Sequence, residues 1–370
     1  MLRILVISDP PAAPGYLPRL RYLCDYLLRQ GHSLTLLTEA YQPLAFDHAY
    51  PIVTIGMYSG TTADWAVKTA WTLLSDWHNR VFAQRAIKRL EGKQWDVVFC
   101  TAFSDFPLGA AKRIADHYHL PLVCDIRDLD EQVEDSKYQY HHRTWWTMPF
   151  RRLYRAVHLR RRNNVLRAAD AVTTVSPWHA EFIRQFNPNV TLAYNGYDET
   201  QFYPATSSHS SFTISYIGSL FDWQQPWLEQ LKAIIRDLQL PVVFDCHTPS
   251  NNPVPHDRLG DAIRSSSIML VLTNPNTHGM LTTKFYEALG CAKPVLCIPS
   301  DQGSLAELIR YTNAGIATDD PQLIRAFIED QYREWQTNGF TRQPVVHREE
   351  FSRETQSRQI EKALKQAMGF

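Results

Sequence analysis

Thr282 to Pro299 reads Thr-Thr-Lys-Phe-Tyr-Glu-Ala-Leu-Gly-Cys-Ala-Lys-Pro-Val-Leu-Cys-Ile-Pro. Its apolar spacing predicts an amphipathic helix running into Gly290, a turn at Ala292-Lys293-Pro294 and a short apolar strand from Val295 to Ile298. Ahead of it, Ile268 to Leu272 is another apolar strand, followed by the polar loop Thr273 to Gly279. Strand, loop, helix, strand is the repeating unit of a parallel sheet. The unit delivers a polar helix start, Thr282, Thr283 and Lys284, to the carboxyl end of a strand. Free N–H groups and the helix dipole favour an anion there. Glu287 follows one turn later, on the same side as Thr283 and Lys284. A helix start for phosphate beside a carboxylate for ribose hydroxyls is what a nucleotide-sugar site requires. A Thr-Thr start also serves as a plain cap, and Lys with Glu as a solvated pair. The rest of the chain therefore carries the decision.

The chain has 370 residues, enough for about two domains. With 44 % hydrophobic and 21 % charged residues it has the composition of a folded soluble protein. The formal net charge is zero, so no overall field favours nucleic acid, and none is expected as a partner. Met1 to Ile7 is too short for a signal peptide, and no apolar run approaches the roughly 18 residues of a membrane helix. Cysteines at 24, 100, 124, 246, 291 and 297 lie mostly in apolar segments, with neither zinc spacing nor a disulfide framework. They read as reduced core thiols of a cytoplasmic protein.

Leu2 to Ile7 is a strand buried on both faces, followed by a Pro- and Ala-rich loop to Gly15 and a helix from about Leu17 to Arg29. Gly31-His32 stops that helix, and Leu34 to Leu37 is the second strand, the opening of a Rossmann-like domain. The loop lacks Gly-x-Gly-x-x-Gly, which argues against a dinucleotide cofactor. Alternation continues through Ile52 to Ile55, a helix from Asp64 to Leu90 broken once, and strands at Val97 to Cys100 and Pro121 to Cys124. The last ends in Asp125-Ile126-Arg127-Asp128, polar groups at a strand's carboxyl end, where ligands bind in such sheets; a structural ion pair explains them equally well. Tyr138 to Arg167 interleaves aromatics (Tyr138, Tyr140, Trp145, Trp146, Phe150, Tyr154) with Arg151, Arg152, Arg155 and Arg160 to Arg162. That mixture suits an anionic membrane surface, a basic helix covering the sheet, or an RNA-binding face. Pro204 and the polar run to Ser211 read as a linker, and the second half repeats the pattern from Phe212 to Ile217, ending in Gly218-Ser219. A final amphipathic helix runs from Phe351 to Met368.

The chain resembles GT-B glycosyltransferases of family 4, nucleotide-sugar-dependent transferases that build bacterial surface polysaccharides and other glycans. The resemblance rests on Gly31-His32, Asp125 to Leu129, Ala168 to Ser176, Asn195-Gly196-Tyr197-Asp198 with Phe202, Gly218-Ser219-Leu220, and above all Lys284-Phe285-Tyr286-Glu287-Ala288-Leu289 with Lys293-Pro294-Val295. It implies an α/β fold of two Rossmann-like domains facing across a cleft. Residues 1–203 would be the acceptor-binding domain, 204–348 the nucleotide-sugar domain, and 349–370 a helix packing back on the first. The family transfers with retention and generally needs no metal, so no cofactor is expected. The resemblance implies a nucleotide-diphosphate sugar donor and a glycan or lipid-linked acceptor, with residues 138–167 at the inner membrane surface. Glu287 would hold the ribose. Thr282, Thr283, Lys284, Gly218 and Ser219 would sit at the diphosphate, and Gly15, Tyr16, Arg19 and Arg127 on the acceptor side. Asp125, Asp128 and Lys284 are the candidate catalytic groups. Two departures stand out. The first of the family's paired glutamates falls at Gly279, and its two loop cations fall at Ser219 and Gln224. Lys284, or Arg19 from the other domain, is the candidate replacement. The same motifs fit a catalytically silent sugar-nucleotide-binding subunit or a nucleotide-sugar epimerase.

Overall fold

The computed structural model describes residues 1–8, 18–39, 48–57, 71, 74–102, 105–133, 148–206, 208–274 and 276–369, the side chains of 148–151 excepted. The chain divides into two units, one of residues 1–131, 136–194 and 357–370, the other of 132–135 and 195–356.

In the first unit the apolar runs become strands, and the amphipathic runs between them become helices. They are β1 (Arg3–Ser8), α1 (Pro18–Arg29), β2 (Ser33–Glu39), β3 (Ile52–Ile55), α2 (Trp77–Arg89), β4 (Val97–Ala102) and α3 (Asp105–Tyr118). There follow β5 (Leu122–Ile126), α4 (Met148–Ala168), β6 (Ala171–Thr174), α5 (Pro177–Arg184) and β7 (Val190–Leu192). The strands form one parallel sheet in the order β3-β2-β1-β4-β5-β6-β7. Both faces are covered, which is why β1 and β4 read as continuous apolar runs rather than alternating ones. Leu5, Ile7, Leu37, Val98 and Cys100 pack with Phe82, Leu108, Ile114 and Leu166 from α2, α3 and α4. Ile4, Val6, Leu34 and Leu36 pack on the other face with Leu20, Leu23 and Leu27 of α1. The helical stretch expected to be broken once is interrupted at Asp76, whose φ of 54° is left-handed: Trp71, Leu74 and Ser75 are helical ahead of it and α2 follows it, while residues 64–70, 72 and 73 lie outside the described residues.

The second unit holds β8 (Phe212–Ile217), α6 (Gln225–Leu238), β9 (Val242–His247), α7 (Leu259–Ser265), β10 (Ile268–Leu272) and α8 (Thr283–Gly290). It continues with β11 (Val295–Ile298), α9 (Ser304–Tyr311), β12 (Gly315–Ala317) and α10 (Pro321–Asn338). The sheet order is β12-β11-β10-β8-β9, again parallel. Phe212, Ile214, Leu270 and Leu296 pack beneath Leu228 and Leu231 of α6 and Ile324 and Ile328 of α10.

This unit starts at Asn195, ahead of the 203/204 boundary expected from the polar run, and ends at Gln356 rather than near 349. Backbone pairing is the reason. The Tyr197 N–H donates to the Phe351 carbonyl at 3.0 Å, and the Arg353 N–H donates to the Tyr197 carbonyl at 2.8 Å. A Cβ at Gly196 would lie 2.8 Å from the Phe351 oxygen, so the glycine permits the approach.

The last helix, α11 (Arg353–Ala367), belongs to the first unit from Ser357 onward. Ile360 and Leu364 enter the core beside α1. The Tyr26 hydroxyl donates to Glu361 Oε2 at 2.6 Å, His32 Nε2 lies 3.1 Å from Oε1, and Lys365 Nζ reaches Oε1 at 2.5 Å. The Leu2 N–H donates to His32 Nδ1 at 3.0 Å, which leaves Nε2 as the donor toward Glu361. Burial raises the Glu361 carboxyl, but bonds from Lys365, Tyr26 and His32 outweigh it and hold the pKa at about 2. A depressed carboxyl contributes stability above its unfolded value of about 4.3 and loses it as pH falls toward its folded value. Glu361→Gln is therefore expected to cost about 1–2 kcal/mol at pH 7, after discounting for screening. The gap between wild type and variant should close as pH falls from about 4.3 to about 2. Urea midpoints along that range measure it; a gap independent of pH would contradict the assignment.

Candidate active site

In the second unit the chain runs from β8 outward to β9 and then returns to β10 on the other side of β8. That reversal opens a crevice beyond the carboxyl ends of β8 and β10, the usual ligand position in such sheets. Two segments reach it. Gly218 leaves β8 with φ 139°, and α8 starts after the loop that follows β10. A Cβ on Gly218 would lie 2.4 Å from Cε and 2.7 Å from Nζ of Lys284. The lysine therefore lies directly on this backbone; the dihedral requires glycine, and a Cβ there would displace the end of the lysine side chain. Its Nζ sits 5.5 Å from the centroid of the Tyr216 ring, a cation–π arrangement.

Among the described residues no carboxylate or carbonyl pairs with the Lys284 ammonium. Burial lowers its pKa, and Glu287 partly restores it. Thr282 occupies the cap position of α8 with φ −72° and ψ 143°, yet its side chain caps none of the first N–H groups. Thr283 is exposed. The carboxylate of Glu287, half-buried one turn on, makes no hydrogen bond among the described residues. Burial raises its carboxyl pKa, opposed by Arg353 and Lys284. An uncapped helix start, an unpaired ammonium and an unbonded carboxylate thus share one turn. The first two call for an anion, the third for hydroxyl donors.

In the first unit Asp125 is not a free carboxylate. Arg19 Nη1 lies 2.9 Å from Oδ1 and 2.7 Å from Oδ2. The hydroxyls of Thr101 and Thr173 donate to Oδ2 and Oδ1 at 2.9 and 2.6 Å. Arg19 Nη2 donates on to the Ala193 carbonyl at 2.8 Å. Both oxygens are therefore committed to tying α1, β4, β6 and the end of β7 to β5. These bonds are those of the structural ion pair that the sequence also allowed, with Arg19 as the partner. They also remove Arg19 as a spare cation. Asp128 is exposed and Arg127 half-buried, just beyond β5. Gly15 and Tyr16 lie outside the described residues.

The basic stretch is partly spent inside the unit as well. Arg162, 1 % exposed, forms a two-pronged pair with Glu131 at 2.9 and 2.6 Å. Arg155 Nε lies 3.4 Å from Asp130 Oδ2, and Arg161 reaches Asp76 at 3.9 Å. Of the arginines expected at a membrane surface, Arg162 is thus an internal tie point of α4, while Arg155 and Arg161 pair nearer the surface. Residues 138–147 lie outside the described residues. No helix among the described residues is long and apolar enough to cross a membrane.

The sequence model of Glycosyltransferase Family 4 matches residues 19–201. The chain is similar to family 4 glycosyltransferases over those residues, and its α/β fold is that of GT-B glycosyltransferases. Solved structures that resemble it over its whole length agree on the fold. The catalytic domain of starch synthase IV from Arabidopsis thaliana, bound to ADP and acarbose, aligns with TM-score 0.61 at 11 % identity, covering 100 % of both chains. Anabaena HepE (Alr3699) in complex with UDP-glucose aligns with TM-score 0.58 at 13 % identity, covering 99 % of this chain and 100 % of that one. A glycosyltransferase from Rickettsia africae aligns with TM-score 0.56 at 10 % identity, covering 99 % and 98 %. No curated protein matches the chain.

Both departures from the family 4 pattern have a structural counterpart. Gly279 has a left-handed φ of 64° and is buried, a backbone setting where a glutamate would be strained. Gln224 is 4 % exposed and shapes its own loop. Its Oε1 accepts from the Phe221 N–H at 2.9 Å, and its Nε2 donates to the Leu272 carbonyl at 3.3 Å. Ser219 is exposed, and its carbonyl accepts from the Tyr216 hydroxyl. Lys284 lies against Gly218, the neighbour of Ser219, a contact between distant segments that sequence spacing does not show.

Proposed function

We propose that this glycosyltransferase moves a sugar from a nucleoside-diphosphate sugar to a hydroxyl acceptor, with retention of configuration and without a metal. The observation that carries the reading is the unpaired, part-buried Lys284 ammonium laid over Gly218 at the uncapped start of α8. As the bond from the sugar's anomeric carbon to the diphosphate breaks, its electron pair goes to the diphosphate. Charge developing there is received by Lys284 and the N–H groups of Thr283 and Lys284, electrostatic catalysis that needs no reorganisation. Glu287 accepts the ribose hydroxyls. Structurally similar proteins in complex with UDP-glucose or bound to ADP support a donor of this class. The resemblance further suggests cell-surface polysaccharide assembly and a glycan or lipid-linked acceptor.

The test is the melting temperature of the protein against UDP-, ADP-, GDP- and dTDP-sugars, followed by donor turnover. One nucleotide series is expected to stabilise the protein and to be slowly hydrolysed. Glu287→Ala should weaken that donor about 100-fold, the loss of two hydrogen bonds to a charged acceptor. Unchanged affinity in a folded variant would overturn the site. Binding without turnover would favour the silent-subunit reading, for which Gly279 and the missing loop cations speak; an epimerised donor would make the protein an epimerase.

A further inference from the structure

The first unit carries a second group of polar side chains, outside the residues discussed so far. Glu39 ends β2, and its Oε2 lies 3.0 Å from His78 Nε2. The His78 ring stacks on Phe106 with centroids 4.0 Å apart. Asp105, the neighbour of Phe106 at the start of α3, bonds through Oδ1 to His158 Nδ1 of α4. These residues form one continuous row on the face of the sheet that carries α2, α3 and α4. The row has unmet hydrogen-bonding capacity. Glu39 Oε1, Asp105 Oδ2 and His158 Nε2 are shielded from solvent, and none has a partner among the described residues. The Glu39 and Asp105 side chains are only 2 % and 3 % exposed. Unsatisfied buried polar atoms are uncommon and costly, so three in one row ask for an explanation.

Position and chemistry supply one. The chain order reverses between β1 and β4, and Asp105 follows β4 while Glu39 ends β2 on the other side of β1. The row therefore borders the crevice of the first sheet at its switch point. Two of the unmet atoms, Glu39 Oε1 and Asp105 Oδ2, are carboxylate acceptors, and the third, His158 Nε2, is a ring nitrogen whose role follows the tautomer. Such a row attracts hydroxyl donors and repels phosphate.

We propose that Glu39, His78, Phe106, Asp105 and His158 hold the hydroxyls of an uncharged sugar acceptor, with Asp105 and His158 as positioning residues. The proposal rests on the transferase reading and narrows it: the acceptor meets the first unit through a glycan end, not through a lipid phosphate.

The test uses the full chain and ligand-observed NMR. The probes are the methyl glycosides of glucose, galactose, mannose and N-acetylglucosamine, with inorganic phosphate as competitor. At least one glycoside is expected to bind in the millimolar range, indifferent to phosphate. Asp105→Asn and His158→Gln should each raise its Kd about tenfold or more. In transfer onto that glycoside the acceptor KM should rise while the donor KM stays constant, a split that a merely structural role would not produce. If Asp105→Asn does not fold, Glu39→Gln, from a different element, takes its place. No glycoside binding, equal binding by the variants, or displacement by phosphate each overturn the proposal. Donor binding in the same samples separates the two readings: donor without glycoside binding sinks only this one, and glycoside without donor binding sinks the transferase.

Discussion

Lys284→Ala is expected to reduce sugar transfer by about 10²–10³-fold, the usual effect of removing one group that receives charge in a transition state. Stability should be unchanged or slightly higher. The ammonium has no anionic hydrogen-bond partner among the described residues, and burial already disfavours its charge. Removing it takes away a desolvated cation and no ion pair. Few residues combine a large catalytic effect with no cost in folding, and the combination marks a group kept for its ligand. Initial rates and urea midpoints of the two proteins decide the matter. A Lys284→Ala enzyme that transfers within a factor of about three of wild type would remove the lysine from the reaction and leave the helix start alone to receive the diphosphate.

Asp125→Ala should show the opposite pattern. The carboxylate is buried and accepts from Arg19, Thr101 and Thr173. Its removal strands a guanidinium that is 11 % exposed, so a loss of about 3–5 kcal/mol is expected. Activity should fall with the folded fraction and no further. A variant that kept its stability while losing transfer would make Asp125 a catalytic group.

The two residues show what local pattern reveals and what it hides. Both were prominent in the sequence as polar groups near the carboxyl ends of apolar strands. Lys284 and Glu287 lie within one helical turn, so spacing alone places them on one side of the helix. The neighbours of Asp125 come from three other elements, and nothing local announces that its oxygens are taken. Gly279 behaves likewise: the sequence shows a missing glutamate, while the fold shows a left-handed backbone that disfavours one. The pairs Glu39–His78 and Asp105–His158 left no signal beyond an aspartate after an apolar strand, because each joins residues far apart in the chain.

By itself the sequence determined the alternation of parallel strands and helices, the strands Phe212–Ile217, Ile268–Leu272 and Val295–Ile298, and the helix start that faces a crevice. Continuous apolar runs bounded by Gly, Pro and polar loops encode these locally. Only the tertiary structure decided which charges are free. A charged group's partners are set by strand order and by helices crossing from distant segments. Among the described residues no acidic side chain bonds to Lys284, whereas three elements converge on Asp125 and engage both its oxygens.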